Sequence, residues 1–149
     1  MSDSSPPIEV LTIQDLLGLV ELQGIEVYEL RGRGIDRADA AEFEEGYAIS
    51  AAVNAAPDQI KTRFMLTFSA VNGEYYVDMA VRYALAVPAS VPQAISVEFA
   101  ERVGIMAAFP FLREHVYNLA SRLGHSIPVL GLIQQGQFTL TPDGPTATG

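Results

Sequence analysis

The apolar positions along the chain change their period twice, and those changes divide it into three parts. The first part is short. Thr12 is followed three residues later by Asp15, a helix-start pattern in which a hydroxyl caps the first turn. The apolar positions Leu16, Leu17, Leu19, Val20 and Leu22 then predict a short helix ending near Gly24, with an early strand as the alternative.

From Ile25 the period is two. Ile25, Val27 and Leu30 interleave with Glu26, Glu29 and Arg31, the signature of a half-buried strand. Gly32, Gly34 and the charged stretch Asp36 to Glu45 make a connection too long and polar for a tight hairpin. A second strand is predicted over Tyr47 to Asn54, followed by the turn Ala55-Ala56-Pro57-Asp58. Ile60 to Val71 reads as a third, with Phe64, Leu66 and Phe68 on one face and Met65 and Thr67 on the other. Asn72-Gly73 is a strong signal for a type I′ hairpin turn, whose two central residues need positive φ. The fourth strand, Glu74 to Val87, alternates Tyr75, Val77, Met79, Val81 and Tyr83 against Tyr76, Asp78 and Arg82.

Pro88 and Pro92 close the strand region, after which helical spacing resumes with Phe99, Val103 and Met106. Phe109, Leu112, Val116, Leu119 and Leu123 recur at intervals of three and four, placing five large side chains in one helical stripe. Pro110 is expected in a first helical turn at the junction, and Gly124 at the left-handed C-cap. Ile127, Val129, Leu130, Leu132 and Ile133 read as extended, and Phe138 and Leu140 end the ordered part. Four strands followed by helices define an α+β fold: a four-stranded antiparallel sheet with a long C-terminal helix, kinked at a proline, packed on it. The expected organisation is a disordered N-terminus over residues 1–10, one domain over 11–140 and a disordered tail over 141–149.

Composition narrows the function. The chain has 149 residues, 49% of them apolar and only 18% charged. That apolar excess favours an oligomer or a surface for apolar partners. Nine Lys+Arg against eighteen Asp+Glu give a net charge of −9, which opposes binding to phosphate backbones, so no nucleic-acid partner is expected. With no cysteine there is no disulfide, thiolate nucleophile or thiolate metal site. Neither an export signal nor a membrane-spanning run is visible, which predicts a cytoplasmic protein without membrane insertion.

The residues carry no catalytic constellation, and the chain reads as a non-enzyme without cofactor or metal. Gly124-His125-Ser126-Ile127-Pro128 approximates a G-x-S-x-G nucleophile elbow. However, a helix precedes the serine, proline replaces the last glycine, and no histidine follows to complete the triad order. His115 and His125 stand ten apart and do not share a helical face as paired metal ligands do. The acids Asp36, Asp39, Glu42, Glu44 and Glu45 lie in a solvated connection, where nothing splits two carboxyl pKa values. Arg31-Gly32-Arg33-Gly34 is too sparse for a phosphate cradle. Attention falls instead on Phe43, a large aromatic inside the charged connection. It is either a loop anchor folded onto the core or part of a surface that accepts apolar segments, with Tyr47 beside it.

Phe109-Pro110-Phe111-Leu112-Arg113-Glu114 resembles the F-P-Y-A-R-E that opens the long helix of the SecB family of export chaperones. Ile127-Pro128-Val129-Leu130-Gly131-Leu132 is similar to the family's P-x-L-x-L segment, and the strand-then-helix order agrees from about Ile25 to Phe138. Arg113-Glu114-His115-Val116-Tyr117 also resembles the helix of SecB-like chaperones associated with toxin–antitoxin systems.

The resemblance implies a homotetramer, a dimer of dimers, that holds unfolded polypeptides without ATP for export or antitoxin stabilisation. It implies client binding at Phe43, Ile127, Val129, Leu130 and Leu132, and Tyr47 and Phe138 are expected at the same site. It further implies docking of the SecA motor or an antitoxin partner, with Glu29 and Glu74 roughly where the family's acids lie, and an oligomer interface at Phe111, His115 and Tyr117. The family's asparagine-phenylalanine-aspartate motif is absent from Ile133-Gln134-Gln135-Gly136-Gln137-Phe138, and the tail lacks basic residues. A cone-shaped, NTF2-like domain that binds a small molecule or acts as a small isomerase is the alternative from another class. An interaction protein dedicated to one partner is a third.

Overall fold

The computed structural model describes residues 6–125 and the backbone of Thr146–Thr148. The elements in order are β1 (Ile8–Glu9), α1 (Ile13–Leu17), β2 (Val20–Gly34), β3 (Gly46–Ala55), β4 (Gln59–Ala70), β5 (Gly73–Leu85), β6 (Ala89–Ser90), α2 (Gln93–Phe99), a π-helical segment (Ala100–Gly104), α3 (Ile105–Arg122) and β7 (Thr146–Thr148). The main sheet has the order β2-β5-β4-β3-β7, and all its pairings are antiparallel. The fold is therefore α+β, with four long strands and a long C-terminal helix. β7 adds three residues to one edge, from a tail whose composition carries no strand signal.

The hydroxyl of Thr12 accepts the Asp15 amide, and the Asp15 carboxylate accepts the Leu11 amide, so the expected cap forms. The helix nevertheless stops at Leu17 instead of near Gly24, and the competing strand begins at Val20. Ile8 and Glu9 pair in parallel with Ala89 and Ser90, which ties the N-terminal segment down from Ile8 and buries Val10.

β2 explains an irregularity in its own pattern. Leu22, Ile25, Val27 and Leu30 are spaced three, two and three apart, which no regular strand can place on one face. Register shifts between Leu22 and Gly24 and between Val27 and Glu29 supply the missing phase. With those bulges, Leu22, Val27 and Leu30 pair with Tyr83, Met79 and Val77, all core residues on the helix-bearing face.

The β4–β5 hairpin pairs Ala70 with Gly73, so its turn residues are Val71 and Asn72, one position earlier than expected. No non-glycine residue in the described chain has positive φ, so the type I′ geometry expected of Asn72-Gly73 is not formed. Gly73 is needed for another reason: a Cβ there would stand 2.7 Å from the Arg33 carbonyl of β2. The Asn72 carbonyl accepts the Ile35 amide and fastens the start of the crossover connection to the turn.

α3 covers one face of the sheet. Ile105, Ala108, Phe109, Leu112, Val116 and Ala120 are buried, while Leu119 is half-buried and Leu123 is exposed at the helix end. Pro110 lies inside α3 and not in a first turn, because helical structure begins far upstream at Gln93 and runs through the π-helical segment. Both Pro110 and Met106, whose carbonyl loses its donor, lie on the exposed side, where water can replace the missing bond. Gly124, at φ 72°, ends the helix as expected. Its amide reaches the Ser121 carbonyl and that of His125 reaches Ala120, the paired bonds of a Schellman cap.

Because the Gly73 clash would be with backbone, it cannot be relieved by a side-chain rotation. Gly73→Ala is expected to lower the free energy of unfolding by about 1–3 kcal/mol, the range for overpacking. Urea denaturation followed by circular dichroism measures this, and an unchanged midpoint would show that the strand approach is not constraining.

Candidate functional site

The face of the sheet opposite α3 is organised by charge. The Glu26 carboxylate accepts from Arg82 at 2.6 Å, the Tyr28 hydroxyl at 2.8 Å and Lys61 at 3.1 Å. Those bonds, from Tyr28 first and then Lys61, hold its pKa below the usual carboxylate range. Arg63 grips the buried Asp78 through two bonds of 2.9 and 2.7 Å, and its guanidinium lies 4.4 Å from the Tyr28 ring centroid. Glu29 is 3.3 Å from Arg31, and Glu74 is 3.5 Å from Arg33. The two acids assigned to partner docking thus lie on this outer face, each facing an arginine. A depression of about 300 Å³ lies among Arg31, Arg33, Thr67, Glu74, Tyr75 and Tyr76.

At one end of the sheet the crossover connection folds back over the strands. Arg37 directs its Nε to the Ala70 carbonyl at 3.2 Å and stacks its guanidinium 3.8 Å from the Phe43 ring centroid. The Glu45 carboxylate accepts the Val71 amide at 3.1 Å. A single 3-10 turn, Ala40–Glu42, shapes the middle of the connection. Phe43 is thereby held half-buried beside an open depression of about 390 Å³, bordered also by Glu44, Gly46, Tyr47, Ala48, Thr67 and Ser69. Thr67 borders both depressions, so they adjoin across the outer face.

Phe43 and Tyr47 are therefore brought to one depression, but they face different surroundings. The Tyr47 ring lies 6.2 Å from that of Phe109 and packs against the core, whereas Phe43 is held by a cation on the loop. Ile127, Val129, Leu130, Leu132 and Phe138 lie outside the described residues. Phe111 is exposed, and His115 and Tyr117 are half-buried along α3. Phe111 and His115 are one turn apart, but Tyr117 lies about 200° round the helix from His115, so the three occupy two flanks of α3.

Sequence reasoning missed an apolar edge. Leu22, Val27 and Leu30 lie on the core-bearing face of β2 yet are 54%, 45% and 44% exposed, because α3 leaves that edge largely uncovered. The signal was the irregular spacing of these residues, which the two bulges resolve. Among the described residues no group of His, Cys, Asp and Glu could hold a metal, and no helix is long and apolar enough to cross a membrane. The His125 ring is committed to Tyr75, with Nδ1 and the hydroxyl 2.6 Å apart.

A half-covered sheet with open depressions and an apolar edge is a class of architecture that offers surface to other chains. Comparison with known proteins gives that class a family. The chain is 32% identical to the SecB-like chaperone SmegB of Mycolicibacterium smegmatis (strain ATCC 700084 / mc(2)155) over 139 residues, 93% of this chain and 91% of that one. Its fold matches the Rv1957 SecB-like chaperone of Mycobacterium tuberculosis, solved in complex with a ChAD peptide from the Rv1956 HigA1 antitoxin. That match has a TM-score of 0.70 and 16% identity over 80% of this chain and 94% of that one. No family model matches the chain. The chain belongs to the SecB-like chaperones, a non-enzymatic family.

Two predictions follow the geometry. Arg37→Ala removes both the bond to Ala70 and the contact on Phe43, so the connection over residues 36–45 should open. Amide exchange there is expected to quicken by about tenfold or more; unchanged protection would show that Arg37 does not hold the loop. His115 supplies a pH dependence. Burial holds its imidazole below the ordinary value of 6.5, against the opposing pull of Glu114. The folded chain thus favours the neutral ring, and this contribution is fully present above 6.5 and lost as pH falls through the depressed value. Between about pH 7.5 and pH 5, wild-type Tm should fall further than that of His115→Gln. Equal falls would remove His115 as the cause.

Proposed function

We propose that this chain is an ATP-independent holdase chaperone that retains unfolded or extended polypeptides in an apolar groove at the Phe43 depression. The observation that carries the proposal is the Phe43 depression, open to solvent at a sheet edge in a SecB-like fold. Retention there needs only apolar contact and strand-like backbone pairing, neither of which consumes a nucleotide. A net charge of −9 keeps a loaded complex soluble. The client site comprises Phe43 and Tyr47 together with Ile127, Val129, Leu130, Leu132 and Phe138.

The proposed assembly is a cytoplasmic homotetramer, a dimer of dimers. The exposed edge of Leu22, Val27 and Leu30, with Phe111, His115 and Tyr117 on the helix, supplies apolar surface for it. Of the two settings, antitoxin stabilisation is favoured over export. The Rv1957 chaperone was solved with an antitoxin peptide. In contrast, docking of a SecA-type motor would have to engage Glu29 and Glu74 against the arginines already beside them.

A stoichiometric amount of this protein is expected to suppress light scattering from a chemically unfolded, reduced test protein, without ATP. Phe43→Ala combined with Leu130→Ala should weaken client affinity by about tenfold, the loss of two moderate apolar contacts. Suppression that persists unchanged in the double variant would move the site elsewhere, and no suppression by the wild type would remove the holdase. Native mass spectrometry should give four copies; a monomer would overturn the assembly.

A further inference from the structure

The free edge of β3 is held by a piece of the chain itself. Thr148, Ala147 and Thr146 pair antiparallel with Ala48, Ile49 and Ser50. β3 extends over Gly46–Ala55, so the pairing covers only its middle. Gly46, Tyr47 and Ala48 also border the Phe43 depression, and Gly46 and Tyr47 have no partner strand on that side among the described residues. An unpaired strand edge is a template for a further extended chain.

We infer that the β3 edge is a strand-addition site for an extended, uncharged client segment, and that Thr146–Thr148 occupies it as an exchangeable competitor. This rests on the chaperone reading and adds to it both the mode of backbone recognition and a regulation of access. Three residue pairs formed by a small-residue segment are a weak hold, because the entropy of ordering each residue is comparable with the net gain from each backbone bond. A client strand in the same register would continue past Ala48 onto Tyr47 and Gly46. Alternate side chains would then point to the face where Phe43 waits. A longer occupant thus gains backbone bonds beyond the three pairs made by Thr146–Thr148, together with contact at Phe43. Bonds to the backbone read no sequence, which suits a site for varied clients.

The test uses the full-length chain with Ala147→Pro and Thr148→Pro together. Adjacent residues of a strand direct their N–H groups to opposite sides, so this pair removes a donor to β3 whichever residue supplies it. The probe is a short labelled peptide alternating leucine and threonine between terminal lysines, with an unfolded test protein measured in parallel. The variant should bind the peptide about threefold or more tightly, since occupancy by a competitor reduces apparent affinity by the free fraction. Amides of Ala48–Ser50 should exchange faster in the free variant than in the wild type and regain protection when peptide is added. Equal or weaker peptide affinity, or exchange at Ala48–Ser50 insensitive to the prolines or to the peptide, overturns the inference while binding of the unfolded protein sustains the chaperone. Failure of both forms to bind either probe overturns both.

Discussion

The rest of the structure depends on the burial of α3 against a single face of the sheet. Phe109, Leu112 and Val116 are almost fully buried there, each worth roughly 1.5–3 kcal/mol, and Ile105, Ala108 and Ala120 complete the stripe. Two glycines set how closely the layers meet. A Cβ at Gly104 would stand 3.1 Å from Thr62 and 3.3 Å from the Phe64 ring; one at Gly32 would stand 3.3 Å from Leu123. These contacts lie at opposite ends of the helix, so α3 is seated closely on the sheet at both ends. One helix of 18 residues is about 27 Å long and cannot also cover both edges of a four-strand sheet. What it leaves uncovered is the apolar edge of β2, the edge of β3, and the outer face.

Among the described residues no helix covers the outer face, and its charges pair with one another. Glu26 takes bonds from Arg82, Tyr28 and Lys61, and Asp78 holds Arg63 with good bidentate geometry. Lys61, raised by its bonds to Tyr28 and Glu26, stays charged throughout. The part-exposed Glu26 pairs add little to stability; together with the Arg63 pair on the buried Asp78 they make the face polar and nearly self-neutral, in a chain of net charge −9. The remaining acidity lies elsewhere; five of the acids, Asp36, Asp39, Glu42, Glu44 and Glu45, sit in the crossover connection around Phe43, where a cation on the ring and a carboxylate on the Val71 amide hold the loop in place.

The parts legible in the sequence were those in which one period ran without interruption. β4 buries Ile60, Thr62, Phe64, Leu66, Phe68 and Ala70 on one face, and β5 repeats the pattern, so their strict alternation named both strands and their inner faces. The stripe of α3 and the Gly124 cap were equally direct. Misreadings occurred where a local rule met a tertiary constraint. The three-two-three spacing in β2 concealed bulges that only its pairing with β5 reveals. Gly73 was assigned to turn chemistry, whereas the requirement is the approach of the Arg33 carbonyl. Pro110 marked a helix start by local preference, yet upstream helix carried the chain past it on the exposed side. Phe43 stood out as an aromatic among charges, but Arg37, whose guanidinium lies on its ring, is six residues away across a turn that no periodicity predicts.

The two edges of the sheet differ in a way that bears on how the molecule can be both stable and open. β2 is a strand of 15 residues whose core-bearing face shows leucine and valine beyond the reach of α3. Such an edge gains most from a permanent partner, because both backbone bonds and apolar area are at stake. β3 is different. Its inner residues Ile49 and Ala51 are already buried, so the edge itself offers mainly backbone groups, and three pairs with β7 meet part of that demand. On the exchange inferred for this edge, a longer extended chain takes the place of these three pairs. In the proposed function, the β2 edge serves assembly, and the β3 edge, beside the Phe43 depression, serves clients. The covered face supplies the stability that lets both remain accessible.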